Sequence, residues 1–195
     1  MIEMLHEGKI WLGGRVVLRD VTPADGYLVA YWRNSPRARA AFHTRSVLTP
    51  AMHSHFLASK SLLDCVWIAE HKRTGAVIGM TSLTMDAENS AECGRMFVDE
   101  RYTRQGYATE LEFTRVAVAF EFFQVGSVWL EVYADNEPML CIHDKIGWTP
   151  AGVNVPGHKG QGGDVLLFTL SRERWAEVRP GAIERYEWRL PEWIP

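Results

Sequence analysis

The stretch that decides the fold is Phe97-Val98-Asp99-Glu100-Arg101-Tyr102-Thr103-Arg104-Gln105-Gly106-Tyr107-Ala108. A β-forming segment ends at Val98, a polar turn follows, and a helix begins at Gly106. The first N–H groups of a helix have no internal acceptor, and the helix dipole makes that end positive. A glycine there lets a phosphate approach the backbone, and Arg104 adds a positive charge. The stretch predicts a pyrophosphate-binding turn, with an ordinary strand-to-helix connection as the alternative.

The segments on either side of this turn predict an α+β fold. Ala91–Val98 reads as a strand before the helix, and Ser127–Tyr133 reads as a strand after it. The apolar positions between them follow one helical face, at Phe113, Val116, Ala117, Phe120 and Phe123. A strand–helix–strand crossover implies one parallel pair of strands, whereas the other predicted strands read as antiparallel hairpins. The expected sheet is therefore mixed and mostly antiparallel.

The rest of the chain supplies the remaining elements of that sheet and the helices that flank it. Further strands are predicted at residues 15–19, 65–69, 76–83, 148–153 and 165–170. Thr22-Pro23 and Thr49-Pro50 each predict a helix start, because threonine caps the first turn and proline fits the first helical position. Asn136 begins a further short helix that Gly147 closes.

The composition limits the class of protein. The chain has 195 residues, 47% of them apolar, and a formal net charge of −3, which argues against a nucleic-acid partner. The acidic N-terminal residues and the lack of a long apolar run predict no signal peptide, no membrane partner and a cytoplasmic location. Three widely spaced cysteines predict neither a disulfide framework nor a zinc knuckle. His43, His53 and His55 lie close in sequence, but no acidic residue stands at ligand spacing, so no metal is expected.

Tryptophan is frequent, with eight residues in the chain, and three of them lie near its C-terminus. Trp175, Trp188 and Trp193 follow the last predicted strand. We expect a catalytic domain at residues 1–172 and a Trp-rich tail at residues 173–195. A tail this apolar should pack on the domain or on a second subunit, so a homodimer is possible.

The turn resembles the acetyl-CoA motif of the GNAT superfamily of N-acetyltransferases, commonly written Gln/Arg-x-x-Gly-x-Gly/Ala. Gly106-Tyr107-Ala108 matches its last three places, whereas Thr103 departs from the first. The element order also matches, from about Val16 to Leu170. The resemblance implies the GNAT acyl-CoA N-acyltransferase fold, in which two central strands splay apart and leave a slot for pantetheine, with acetyl-CoA as the co-substrate. The residues implied in binding it are Phe97, Val98, Arg104, Gln105, Gly106, Tyr107, Ala108 and Asn136.

The resemblance also implies two catalytic residues. Acetyl transfer needs a neutral amine, so a base must take a proton, and Glu92 stands where histone-type members carry a catalytic glutamate. Its alternative is a solvated acid near a strand end. His143 occupies the place of the tyrosine that commonly protonates the leaving CoA thiolate, and a histidine can donate that proton. A structural role for His143 is equally compatible with the sequence.

The N-terminal third resembles a branch that includes the amino-sugar-nucleotide N-acetyltransferase of pseudaminic acid synthesis. The pattern that carries the resemblance begins at Trp32-Arg33-Asn34, where the alternative for Arg33 and Asn34 is to fasten the helix end. The implied acceptor is a small-molecule amine on a sugar nucleotide. The residues implied in binding it are Arg39 for the diphosphate, Phe42 for stacking on a sugar or base, and His53 and Thr84 for hydrogen bonds.

Several alternatives stay open. Within the enzyme class the acceptor could be a protein N-terminus, a polyamine or an aminoglycoside. The departures at Thr103 and His143 also allow a CoA-binding module without catalysis. An interaction protein that uses the Trp-rich tail is a third alternative.

Overall fold

A computed structural model describes residues 5, 6, 8–42, 44–86, 88–154 and 164–189. Within them one sheet has nine strands in the order β1-β2-β3-β4-β5-β6-β7-β9-β8. The strands are β1 (Leu5–His6), β2 (Lys9–Trp11), β3 (Val16–Asp20), β4 (Asp64–His71), β5 (Val77–Met85), β6 (Ser90–Val98), β7 (Ser127–Tyr133), β8 (Thr149–Asn154) and β9 (Val165–Ser171). The helices are α1 (Gly26–Asn34), α2 (Pro36–Ala41), α3 (Pro50–Ser59), α4 (Tyr107–Ala117), α5 (Glu137–Ile146) and α6 (Arg172–Tyr186).

Strand pairing confirms the predicted mixed sheet. β6 pairs with β7 in parallel, and every other pair in the described sheet is antiparallel. The parallel pairing runs only from Ser90 to Glu92 on β6. β7 pairs with β9 from Ser127 to Tyr133, on its other side. The two strands therefore diverge after Glu92, as the α+β prediction with splayed strands requires.

Alternate residues of β4 pack on opposite faces of the sheet, as the two-residue period of a strand dictates. Trp67 and Ala69 belong to the larger apolar cluster, which includes α4 and α6. Val66 and Ile68 belong to a second cluster, which includes Trp32 of α1. The sheet is thus covered by α4 and α6 on one face and by helices of the N-terminal third on the other.

The helix after the turn is interrupted by a change of period. Phe113, Val116 and Phe120 are buried as predicted, but Phe123 is 40% exposed. Val118–Phe122 forms a π-helical turn. A π turn adds a residue per turn and rotates the positions that follow. The prediction that Phe123 continues the apolar face is therefore wrong.

Residues after β9 form a helix that the sequence did not predict. Trp175 and Trp188 are 2% and 5% exposed. Trp175 stacks on Phe120 with ring centroids 5.9 Å apart, and its Nε1 donates to Glu121 Oε1 at 2.7 Å. These tryptophans are part of the main core, while Trp193 lies outside the described residues. Among the helices that the structure describes, none has the length and apolar character that crossing a membrane requires.

Candidate functional site

A cavity of about 1100 Å³ opens where β6 and β7 diverge. Its wall begins at the turn before α4, follows both strands to α5, and reaches α1 and α2. The predicted residues on this wall are Phe42, Glu92, Phe97, Val98, Arg104, Gly106, Ala108, Asn136 and His143. Nine side chains or backbone segments chosen from sequence therefore meet in one cavity.

The turn before α4 has a left-handed backbone at two positions. Gly106 has φ +82°, and Arg104 has φ +58°. The N–H groups of the first turn of α4 have no acceptor within the helix, and Ala108 and Thr109 of that turn line the cavity. Added to Gly106, a Cβ would lie 3.4 Å from Arg15 Nη2. The turn combines a left-handed glycine with unused donors, which is a favourable site for a phosphate.

Two anchors hold the turn in place from neighbouring elements. Arg15 at the start of β3 donates from Nη1 to the carbonyl of Gln105 at 3.2 Å and from Nε to Glu110 Oε2 at 2.8 Å. Asp99 accepts from Trp32 Nε1 at 2.8 Å and from Arg101 Nε at 2.9 Å. The hydrogen bonds from Arg101, and then that from Trp32, lower the pKa of Asp99 to about 2, against the opposing effect of burial.

A smaller cavity of about 430 Å³ lies beside the same turn. Its wall includes Gly106 and three basic side chains, from Arg15, Lys145 and Arg185. Guanidinium and ammonium groups are suited to phosphate oxygens. This cavity was not predictable from the sequence, because Arg185 lies almost 80 residues from the turn along the chain and reaches it only through the packing of α6.

Glu92 lies at the point where the central strands separate. It is the last residue of β6 that pairs with β7, opposite Trp129, and it lines the cavity. Asn136 begins α5, but its side chain makes no capping hydrogen bond. The carboxylate at the fork and the amide beyond the end of β7 thus both line the cavity.

His143 lies on α5, also at the cavity wall. It is 1% exposed and packs against Trp148 and Phe168, with ring centroids 5.9 and 5.4 Å away. Neither ring nitrogen has a hydrogen-bond partner among the described residues. Burial lowers the pKa of His143, while the nearby Glu112 opposes this shift and Arg115 adds to it. The neutral imidazole therefore predominates at neutral pH.

Five predicted site residues do not reach the cavity wall. Arg39 is exposed, and its Nε donates to the carbonyl of Arg45 at 3.1 Å. The hydroxyl of Thr84 donates to Asp64 Oδ1 at 2.7 Å. The other three are His53, Gln105 and Tyr107.

Local packing explains where those three side chains lie. His53 is 4% exposed and faces Gly26, so it belongs to the contact between α1 and α3. Gln105 is exposed, and its Nε2 donates to the carbonyl of Arg101 at 2.8 Å. Tyr107 is buried in the core. These positions were implied by the resemblance to family motifs, and a motif does not report which way a side chain points.

Three basic side chains of the cavity wall were not predicted from the sequence. Arg33, Arg37 and Arg95 all line the cavity, and Arg33 Cζ lies 3.8 Å from the ring centroid of Phe42. One signal was available, because Arg95 interrupts the strand Ala91–Val98 with a charge. The alternative of fastening the helix end, given for Arg33 and Asn34 together, holds for Asn34, whose side chain bonds both backbone polar groups of Leu48. Arg33 makes only a long bond of this kind among the described residues, to the carbonyl of Thr44 at 3.4 Å, and it also lines the cavity.

Comparisons with known proteins agree with this geometry. Residues 15–149 match the family model of the acetyltransferase (GNAT) domain. No match was found among curated proteins. Among solved structures, spermidine N-acetyltransferase from Vibrio cholerae in complex with CoA and spermine is similar, with TM-score 0.75 and 14% identity over 83% of this chain and 98% of that one.

Two further structures are similar at low identity. Ribosomal-protein-S5-alanine acetyltransferase from Vibrio fischeri has TM-score 0.71 and 16% identity, over 86% of this chain and 98% of that one. A GCN5-related N-acetyltransferase from Brucella melitensis has TM-score 0.71 and 22% identity, over 93% and 85%. At these identities the likeness concerns the fold alone. Because the family model spans most of the chain, this protein belongs to the GNAT acetyltransferase family and is an N-acetyltransferase that uses acetyl-CoA as its co-substrate.

Proposed function

We propose that this enzyme transfers the acetyl group of acetyl-CoA to the primary amine of a nucleotide-linked 4-amino-4,6-dideoxy sugar. The observation that carries the proposal is the composition of one part of the cavity wall. Phe42 and the guanidinium groups of Arg33, Arg37 and Arg95 line it there, and we call this part the acceptor half. Guanidinium groups suit phosphate oxygens, and a flat aromatic ring suits a sugar or a base.

Acetyl-CoA would occupy the other half of the cavity. Its pyrophosphate would contact the backbone N–H groups at Gly106 and Ala108, with Arg104 as a mobile cation. The pantetheine arm would lie in the gap between β6 and β7, against Phe97 and Val98, which line the cavity there. Asn136 would hold the arm through its side-chain amide. Gln105 and Tyr107 would act indirectly, by keeping the shape of the turn.

The reaction needs one base and one acid. Glu92, at the fork of the strands, would take the proton of the amine directly or through a water molecule. The amine nitrogen would then attack the thioester carbonyl, so that a C–N bond forms and the C–S bond breaks, and the nitrogen would lose its remaining excess proton to solvent as the amide forms. His143 would donate a proton to the leaving thiolate. Because burial lowers the pKa of His143, only a minor fraction is protonated at neutral pH, and that fraction is a stronger acid than an exposed imidazolium.

The alternatives differ in the charge of the acceptor. A polyamine carries several positive charges, and three arginines at the acceptor half would repel it. A protein N-terminus or an aminoglycoside brings no phosphate to those arginines. An inactive CoA-binding module would bind CoA and transfer nothing.

A panel of acceptors tests the proposal. Thiol release from acetyl-CoA is measured with a nucleotide-linked 4-amino-4,6-dideoxy sugar, spermidine, an aminoglycoside and a peptide with a free N-terminus, beside calorimetry with CoA. We expect turnover on the sugar nucleotide. Turnover on spermidine or the peptide with none on any sugar nucleotide would contradict the proposal, and tight CoA binding without turnover would favour the inactive module.

A variant of the stacking residue sharpens the test. Phe42→Ala should raise the KM for the sugar nucleotide, because the ring that would face the acceptor is removed, and leave the KM for acetyl-CoA unchanged. Leu62→Ala is the matched control, since that apolar side chain is 97% exposed and lies off the cavity wall. Equal kinetics in both variants would remove Phe42 from acceptor binding.

Whether the enzyme works as a homodimer in the cytoplasm stays a prediction. Light scattering of the purified chain would test the homodimer, and fractionation of the source cells would test the location.

A further inference from the structure

Arg33 and Arg95 bring two positive charges into one cavity, whose wall also includes Glu92 and Glu131. Within the described residues neither arginine forms an ion pair. Arg33 Nη2 makes a long hydrogen bond of 3.4 Å to the carbonyl of Thr44. Its Nε is buried and has no hydrogen-bond partner in the described part of the chain. A buried guanidinium with unused donors is costly unless a ligand compensates it.

The two charges also act on each other. Burial, and then the charge of Arg95, lowers the pKa of Arg33 to about 10. The two guanidinium groups carry like charges and repel one another. An anion between or beside them would remove this repulsion and satisfy the donors at the same time.

Aromatic rings hold both guanidinium groups in place. Arg33 Cζ lies 3.8 Å from the ring centroid of Phe42, and Arg95 Cζ lies 5.1 Å from that of Phe56. Arg95 Nη1 also donates to Ser82 Oγ at 3.2 Å. Side chains held in this way lose little conformational entropy on binding, so the pair is preorganised.

The backbone conformation at Arg95 sets the direction of its side chain. The register between β5 and β6 shifts there, so that Arg95 and Met96 together face Thr81. Such a bulge redirects a side chain. Arg95 has φ +49°, a left-handed conformation that costs free energy for any residue other than glycine. The unfavourable conformation thus occurs at Arg95, whose guanidinium lies toward Phe56 and the cavity.

We propose that Arg33 and Arg95 form an anion subsite that binds a phosphate group of the amine acceptor. The inference rests on the proposed function and narrows it, because it requires the acceptor to be a phosphate ester and assigns the charge recognition to these two residues rather than to Arg39. The phosphates of CoA are the other source of the same chemistry. The acceptor is favoured because the turn at Gly106 and the basic cavity beside it already provide donors and cations for CoA.

Binding of inorganic pyrophosphate to the full chain, saturated with CoA, tests the subsite by calorimetry. We expect the wild-type protein to bind pyrophosphate in the presence of CoA. Arg33→Met and Arg95→Met should each raise its Kd about tenfold or more, since a charge-assisted hydrogen bond is lost. Arg39→Met is the matched control, an exposed arginine off the cavity wall, and should keep the wild-type Kd. Arg95→Lys retains the charge and should retain most of the affinity, which separates charge from disturbance of the strand.

Different outcomes address the subsite and the proposed function separately. If CoA abolishes pyrophosphate binding, the anion site belongs to CoA and the inference is overturned. The inference is also overturned if Arg33→Met and Arg95→Met keep the wild-type melting temperature and the wild-type Kd for pyrophosphate. If no sugar nucleotide is acetylated but pyrophosphate binding still depends on the two arginines, the subsite stands and the sugar acceptor falls. If the wild-type enzyme acetylates spermidine rapidly and Arg33→Met does so no faster, both the subsite and the sugar acceptor would be contradicted.

Discussion

Among single residues, Gly106 offers the most direct test of the proposed pyrophosphate site. Its φ of +82° is one that a β-branched residue adopts only with strain, and a side chain there would meet Arg15. We expect Gly106→Val to raise the Kd for CoA at least about tenfold, because the backbone donors would be moved and covered. Calorimetry measures this change.

The control for that variant is Gly75→Val. Gly75 has φ +67° but lies in an exposed hairpin turn, with nothing within 4 Å of an added Cβ. It carries a comparable backbone strain away from the cavity and should leave the CoA affinity unchanged. If the two variants bound CoA equally well, the turn would not be the pyrophosphate site.

Glu92 is the residue predicted to act as the general base. Glu92→Gln should lower kcat at neutral pH by about a hundredfold, in the range expected for a general base. Raising the pH should restore part of the rate, because more of the amine is then neutral without assistance. Glu88→Gln, an exposed acid just before the same strand, serves as the control. A pH–rate profile of Glu92→Gln that parallels the wild type would remove Glu92 from the role of base.

The burial of His143 makes the free energy of unfolding depend on pH. Burial lowers its pKa below the ordinary value of 6.5, so the unfolded chain takes up a proton that the folded chain does not. The free energy of unfolding should therefore fall as the pH drops below about 6.5, and His143→Phe should remove that part of the dependence. Denaturant unfolding at several pH values measures it.

The same variant tests catalysis. His143→Phe should slow turnover while the Kd for CoA stays the same, since the ring packs against Trp148 and Phe168 in an apolar setting that phenylalanine can also fill. Turnover at the wild-type rate would show that His143 is structural.

At the scale of elements, Asp99 joins α1 to the turn that precedes α4. It accepts hydrogen bonds from Trp32 and Arg101, and its pKa is lowered to about 2. The stability that it contributes is therefore fully present above the ordinary pKa of 3.8 and is lost as the pH falls toward 2. Asp99→Asn should lower the melting temperature at neutral pH and flatten its dependence on pH in the acidic range. The exposed neighbour variant Glu100→Gln should do neither, and identical acid transitions in wild type and Asp99→Asn would contradict the assignment.

Some helices could be predicted from their sequence and one could not. The helices after Thr22 and Thr49 were predictable because a cap and a proline are signals within a few residues, and Thr49 does accept from the N–H of Met52. α6 was missed because Pro180-Gly181 normally interrupts a helix. Packing of Trp175 and Ala182 in the core supplies the stabilisation that local propensity lacks there.

At the scale of the whole molecule, the C-terminal helix completes the core. Trp175 contacts Phe120 and Glu121, and Trp188 packs on Phe113 with ring centroids 6.4 Å apart. We expect Trp175→Ala to lower the free energy of unfolding by about 3–5 kcal/mol, as for other large-to-small changes at buried aromatic residues. Tyr27→Ala, at a side chain 82% exposed, is the control.

A truncation extends this prediction to the domain boundary. If residues 1–172 formed a catalytic domain that folds alone, removal of residues 173–195 would leave a cooperative thermal transition. The burial of Trp175 and Trp188 leads us to expect that the shortened chain loses it, because Phe113 and Phe120 would be uncovered. Circular dichroism during heating distinguishes the two outcomes, and an unchanged transition would restore the boundary at residue 172.

Features that depend on neighbours along the chain could be predicted from the sequence. The glycine in the turn, the positive end of α4 and the strand–helix–strand crossover all follow from interactions within a few residues, and the resemblance of the turn and of the element order to the GNAT superfamily added the fold and acetyl-CoA. Which side chains meet depended on the tertiary structure. Arg33 and Arg95 lie more than 60 positions apart and come together through the bulge in β6, while Arg39, six residues from Arg33, points away. Side-chain direction depends on the packing of distant elements, and the acceptor half of the cavity is built from such contacts.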